Sequence, residues 1–82
     1  MRQIITFVSI HFVMKAEKVL KKEGIDFRLI PTPRKISSDC GMAIETDYEN
    51  MERIKTILGN HKCGMESIYR FDEKGGYSEQ KD

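Results

Sequence analysis

The chain has 82 residues, 39% apolar and 33% charged, enough for one domain around a single modest core. Its formal net charge of +1 gives no general drive towards nucleic acid or acidic surfaces. No apolar run approaches the roughly 18–20 residues that span a bilayer, and the start, Met1-Arg2-Gln3-Ile4, lacks the parts of a signal peptide. A cytoplasmic protein without membrane or nucleic-acid partners is expected. Two cysteines, Cys40 and Cys63, are too few for a disulfide framework and in a reducing compartment are expected as thiols.

Ile4 to Val8 is a short β-branched and aromatic run, which predicts a strand buried on both faces. Ser9 is placed to cap a first helix with its hydroxyl. That helix is predicted over about Ile10 to Glu23. Phe12, Val13, Ala16, Val19 and Leu20 recur at helical spacing, and Lys15, Glu17, Lys18, Lys21 and Lys22 fall mostly on the other side. The late lysines suit the negative pole of the helix, and Gly24 is a natural stop. A second strand is predicted over Asp26 to Ile30, ended by Pro31. A third follows over Gly41 to Thr46. Thr46-Asp47-Tyr48-Glu49 has the form of a capping box led by the Thr46 hydroxyl. The second helix, 47–58, is expected to bury Met51, Ile54, Ile57 and Leu58 and to end at Gly59-Asn60. Met65 to Phe71 reads as the last strand, and residues 72–82 as a disordered polar tail.

The order β-α-β-β-α-β predicts an α+β, ferredoxin-like βαββαβ sandwich over residues 1–71. It has a four-stranded antiparallel sheet with two helices on one face. Right-handed crossovers put the third strand between the first and second, with the fourth at the far edge. Ser9 to His11, Arg34 to Cys40 and Asn60 to Gly64 then share one rim of the sheet. The open face, with apolar residues of the first two strands, is of a kind that pairs with a second copy, so a homodimer is one expectation.

Chemistry concentrates in Leu29 to Ile44, where two apolar runs flank a loop of two prolines, Arg34, Lys35, Ser37, Ser38, Asp39 and Cys40-Gly41. Polar loops held by strands are where small domains keep function. A Cys40 thiolate near cations and a helix N-terminus would be a nucleophile or sulfur carrier. Arg34 would stabilise the anion, Ser37 and Ser38 would donate hydrogen bonds, and Gly41 would leave room beside the sulfur; the Asp39 carboxylate opposes this. The plain alternative is a small apolar residue starting a buried strand. Arg34 and Lys35 also suit an anion such as a phosphate or carboxylate. His61-Lys62-Cys63-Gly64 repeats the Cys-Gly pair on the same rim, so Cys63 is a candidate second thiol and His61 a candidate base. A zinc site from His11, Cys40, His61 and Cys63 matches no usual ligand spacing, so no metal is expected, nor any cofactor. Phe7 and Phe27 lack the glycine and basic pattern of RNA-binding sheets.

The runs Thr6-Phe7-Val8-Ser9, Ala16-Glu17-Lys18-Val19-Leu20, Leu29-Ile30-Pro31-Thr32-Pro33-Arg34 and Ile36-Ser37-Ser38-Asp39-Cys40-Gly41 resemble a group of small bacterial selenium/sulfur carrier-like proteins. The resemblance covers about residues 4–60. It implies a cytoplasmic protein loosely associated with TusA-like sulfur carriers, with the motif carried by Pro33, Arg34, Ser37, Ser38, Cys40 and Gly41. The chain departs from TusA-like carriers in lacking their Cys-Pro-x-Pro motif. His11-Phe12-Val13-Met14 is bulkier than the family's small-residue start, and Cys63 lies outside the pattern. Three functions follow. The first is a sulfur or selenium carrier using Cys40, loaded by a donor such as a cysteine desulfurase and emptied by a TusA-like acceptor. The second is a non-catalytic protein-interaction module. The third is a thiol/disulfide redox protein using Cys40 and Cys63.

Overall fold

The computed structural model describes residues 2–36, 40–71 and 76–79. Its elements are β1 (Arg2–Phe7), α1 (Ile10–Lys22), β2 (Phe27–Pro31), β3 (Met42–Asp47), a 3₁₀ turn (Tyr48–Asn50), α2 (Met51–Asn60), β4 (Met65–Phe71) and β5 (Tyr77–Glu79). The sheet order is β2-β3-β1-β4-β5, with every neighbouring pair antiparallel.

The fold class is α+β, and the first four strands lie in the expected order. The four-stranded layout is corrected by β5, which pairs Tyr77 with Phe71 and Glu79 with Tyr69. This strand lies inside the stretch expected to be a polar tail. Its three residues extend the sheet beyond β4, so β4 is an interior strand rather than an edge.

Both helices cover one face. Val13, Ala16 and Leu20 of α1 and Met51, Ile54 and Leu58 of α2 are buried in one cluster with Ile5, Phe7, Ile44 and Ile68 of the sheet. The i, i+3, i+4 spacing of those helix residues is what allows one stripe to reach the sheet. Phe12, Val19 and Ile57, which share the expected apolar stripes, are half-buried at the margin. A smaller cluster on the other face holds Ile4, Ala43 and Ile36, with Ile30, Tyr69 and Tyr77 packed against it. The face expected to stand open is therefore covered in part by the chain itself, through the β2–β3 loop and β5.

Capping differs from the sequence-based expectation in two places. Ser9 occupies the N-cap of α1 in an extended conformation, but its side chain makes no capping bond; its carbonyl accepts from the Phe12 and Val13 amides. The Thr46 hydroxyl does not lead a capping box. It donates to the Asp26 carbonyl at 3.1 Å, and the Asp47 carboxylate takes over, accepting from the Glu49 amide at 3.2 Å. Thr46 faces the helices, where its hydroxyl is sealed and must bond inside the protein. Asp47, the next residue, has solvent access.

Gly24 ends α1 as expected, at φ +73°: its amide bonds to the Lys21 carbonyl and the Ile25 amide to that of Leu20. At the end of α2 the same cap is built without glycine. Lys62 takes the left-handed position at φ 53°, and Lys62 and Cys63 donate to the Gly59 and Leu58 carbonyls. The helix ends at Asn60, within the Gly59-Asn60 pair expected to end it, and the left-handed position falls two residues later on Lys62.

Candidate functional site

The expected rim forms at one end of the sheet. The Val8 amide donates to the Gly64 carbonyl at 3.0 Å, joining the exit of β1 to the entry of β4. The Phe12 ring packs on Gly64, which ties the first turn of α1 to the same point. The β2–β3 hairpin closes beside them. Pro31 pairs with Met42, and the Thr32 amide donates to the Gly41 carbonyl at 3.0 Å. Pro31 can stand in this strand because β2 is an edge, where a missing donor leaves no neighbour unbonded.

The loop inside that closure is built in two parts. Pro33 to Ile36 is a turn, with the Ile36 amide bonded to the Pro33 carbonyl at 3.0 Å. Pro33 presets the dihedral such a turn needs. Ile36 is 4% exposed and packs with Ile4 and Ala43 on the sheet face away from the helices. Cys40, at the other end, is half-buried and packs against the main core on the helix side. The loop therefore straddles the end of the sheet, with one apolar foot on each face. Arg34 and Lys35 project from it and are exposed. Ser37 and Ser38, with Asp39, lie outside the described residues. Gly41 holds φ +76°, with nothing within 4 Å of the position a Cβ would take. Only a residue tolerant of left-handed backbone can turn the chain there into β3.

Cys63 is different in kind from Cys40. It is 1% exposed and sits in the main core. As the residue after the left-handed Lys62, it fills the position whose side chain commonly packs back onto the last helical turn, and Leu58 is buried in the same cluster. Burial pushes the Cys63 thiol above its ordinary value, against a smaller opposing pull from the Lys15 cation. A sealed, neutral thiol is a poor attacking group, so Cys63 reads as core. No disulfide joins it to Cys40. His61 and His11 are both exposed, His11 edge-on to Phe12 with ring centroids 5.3 Å apart. Among the described residues no three His, Cys, Asp or Glu side chains are placed to hold a metal ion, so the zinc grouping of His11, Cys40, His61 and Cys63 does not form.

The sequence matches the family described as "Putative Se/S carrier protein-like" over residues 2–70. The chain belongs to that family. Comparison with curated proteins and with solved structures finds no match. The matched span of this Se/S carrier-like chain runs from β1 to the penultimate residue of β4, and so includes the whole rim. Among the described residues no helix is long and apolar enough to cross a membrane.

Two features of the rim escaped the sequence. Ile36 was available as a signal, being the one aliphatic residue between Thr32 and Asp39. Val8, taken as the end of a buried strand, is instead 56% exposed. The ladder with β4 shifts register between Thr6 and Phe7, and Val8 leaves the sheet just beyond it.

Proposed function

We propose that the chain carries sulfane sulfur, or selenium in its place, on Cys40. The observation that carries this reading is the contrast between two thiols near one rim: Cys40 is partly exposed at the end of a loop anchored on both sheet faces, and Cys63 is sealed in the core. Family membership supports the same reading.

The transfer needs no outside oxidant. The Cys40 thiolate attacks the outer sulfur of a donor persulfide; its Sγ–S bond forms as the donor's S–S bond breaks, and the donor cysteine leaves as a thiolate. The cargo keeps its oxidation state, and an acceptor thiol unloads it by the same exchange. Arg34 supplies a cation on the loop for the persulfide anion, and Ser38 and Ser37, two and three residues before Cys40 in sequence, supply hydroxyls. A cysteine desulfurase is a fitting donor and a TusA-like protein a fitting acceptor, in a cytoplasmic setting.

The test is loading by a cysteine desulfurase and cysteine, read by intact mass, on the native chain and on Cys40→Ser. The native chain is expected to gain one sulfur and Cys40→Ser none, with the fold of both intact by circular dichroism. Equal loading of the two overturns the carrier assignment. A chain that loads in neither form but retains partner binding is an interaction module.

A further inference from the structure

The near-neutral composition hides a one-sided helix. From Ile10 to Lys22, α1 carries Lys15, Lys18, Lys21 and Lys22 against a single carboxylate, Glu17, which pairs with Lys21 at 3.7 Å. At its start the helix exposes large apolar side chains, Ile10 at 49% and Met14 at 56%, one turn apart, and Val8, two residues before the helix, is 56% exposed. His11, Met14, Lys15 and Lys18 line an open groove of about 260 Å³. Ile10, Met14 and Lys18 take no part in seating α1, which rests on Val13, Ala16 and Leu20. Single exposed apolar residues are ordinary, but three within seven residues beside a lysine fringe have the make-up of an interface.

We propose that Val8, Ile10 and Met14, with Lys15 and Lys18 at their side, dock the protein that delivers sulfur to Cys40. The partner surface is an apolar depression edged with aspartate or glutamate. This rests on the carrier reading: a donor persulfide must be brought to the rim, and Val8 is hydrogen-bonded into that rim through Gly64. Apolar contact at the centre supplies affinity, and the lysines steer approach and set orientation. A second copy of the chain is a poor occupant, since two-fold pairing would set lysines against lysines. An anionic membrane is also a poor occupant: an interfacial helix submerges its whole apolar face, and here that face is spent on the core. Phosphates of a nucleic acid would satisfy the lysines but leave the apolar groups uncovered.

The test uses the full-length chain, the source organism's cysteine desulfurase, and the surface variants Met14→Ser and Lys18→Glu. Direct binding is titrated at low and high salt, and loading of Cys40 is followed separately from the desulfurase and from inorganic polysulfide, which needs no docking. Each variant is expected to weaken binding about tenfold and to slow desulfurase loading in proportion. Added salt should weaken binding of the native chain more than that of Lys18→Glu, and polysulfide loading should stay at the native rate. Unchanged desulfurase binding in both variants, or no binding at low salt, overturns the docking face. So does binding of the native chain, through these residues, to phosphatidylserine vesicles or single-stranded DNA but not to the desulfurase. Failure of polysulfide to load Cys40 instead overturns the carrier reading alone, because desulfurase binding that responds to Met14 and Lys18 would still support the face.

Discussion

A Cβ placed on Gly64 would lie 2.7 Å from Phe12 Cδ2 and 2.8 Å from Cγ. The ring in the first turn of α1 therefore rests on the backbone entering β4, and no side chain fits between them. Gly64 also holds φ +62°, where any other residue is strained. Gly64→Ala is predicted to destabilise the fold by about 2–3 kcal/mol, from backbone strain and displacement of the ring together. Urea unfolding checks this, and an unchanged midpoint would mean that the ring can move aside at no cost.

Two residues earlier the same loop contains the opposite opportunity. Lys62 adopts the left-handed cap position that glycine fills at the end of α1. Lys62→Gly keeps the cap bonds to Leu58 and Gly59 and relieves the Cβ penalty. It is expected to raise stability by about 0.5–1 kcal/mol, measured as a rise in the urea midpoint at constant slope.

Ile36 holds the Cys40 loop to the sheet. Ile36→Ala removes its packing on Ile4 and Ala43 and is predicted to cost about 2 kcal/mol, the low end for a buried aliphatic because a loop can partly collapse. Its more telling effect is on Cys40. Native-state alkylation of Cys40 should change in rate in Ile36→Ala while Cys63 stays protected. An unaltered Cys40 rate would show that the two feet of the loop are independent.

Cys63 gives the fold a pH dependence with a definite sign. Burial raises its folded-state value above the ordinary thiol value of 9.0. The neutral thiol thus contributes stability that is fully present below about pH 9 and is lost as pH rises through the folded value. Unfolding midpoints from pH 7 to 10.5 should fall more steeply above pH 9 for the native chain than for Cys63→Ala, although the variant is less stable at pH 7. Parallel curves would mean that the thiol ionises as readily in the fold as outside it.

Much of the architecture was legible because its signals are local and strong. Ile10 to Glu23 encloses α1 to within one residue, because its apolar spacing has a single interpretation, and the expected last strand, Met65 to Phe71, coincides with β4. Once β-α-β-β-α-β was read, chain connectivity left few strand orders, and the rim followed from that order. Tyr77–Glu79 was missed because a three-residue strand has too few positions to display alternation; its existence depends on the edge that β4 offers. The cap falls to Asp47 rather than to Thr46 because the register with β1 decides which of them is sealed, and register is not a local property. Cys40 and Cys63 look alike in sequence, each followed by glycine. The difference between them comes from their supports: Cys63 follows a left-handed helix cap that turns it inward, and Cys40 ends a loop that leaves it half-buried at the rim.

The central claim, that Cys40 carries the cargo and Cys63 is structural, is tested most directly by peptide mapping after brief loading with a cysteine desulfurase and cysteine, followed by alkylation in the native state. An alkylated persulfide is expected on the Cys40 peptide, with Cys63 unmodified until the chain is unfolded. Sulfur on Cys63, or a Cys40 that remains an unloaded thiol inert to the alkylator, would contradict it.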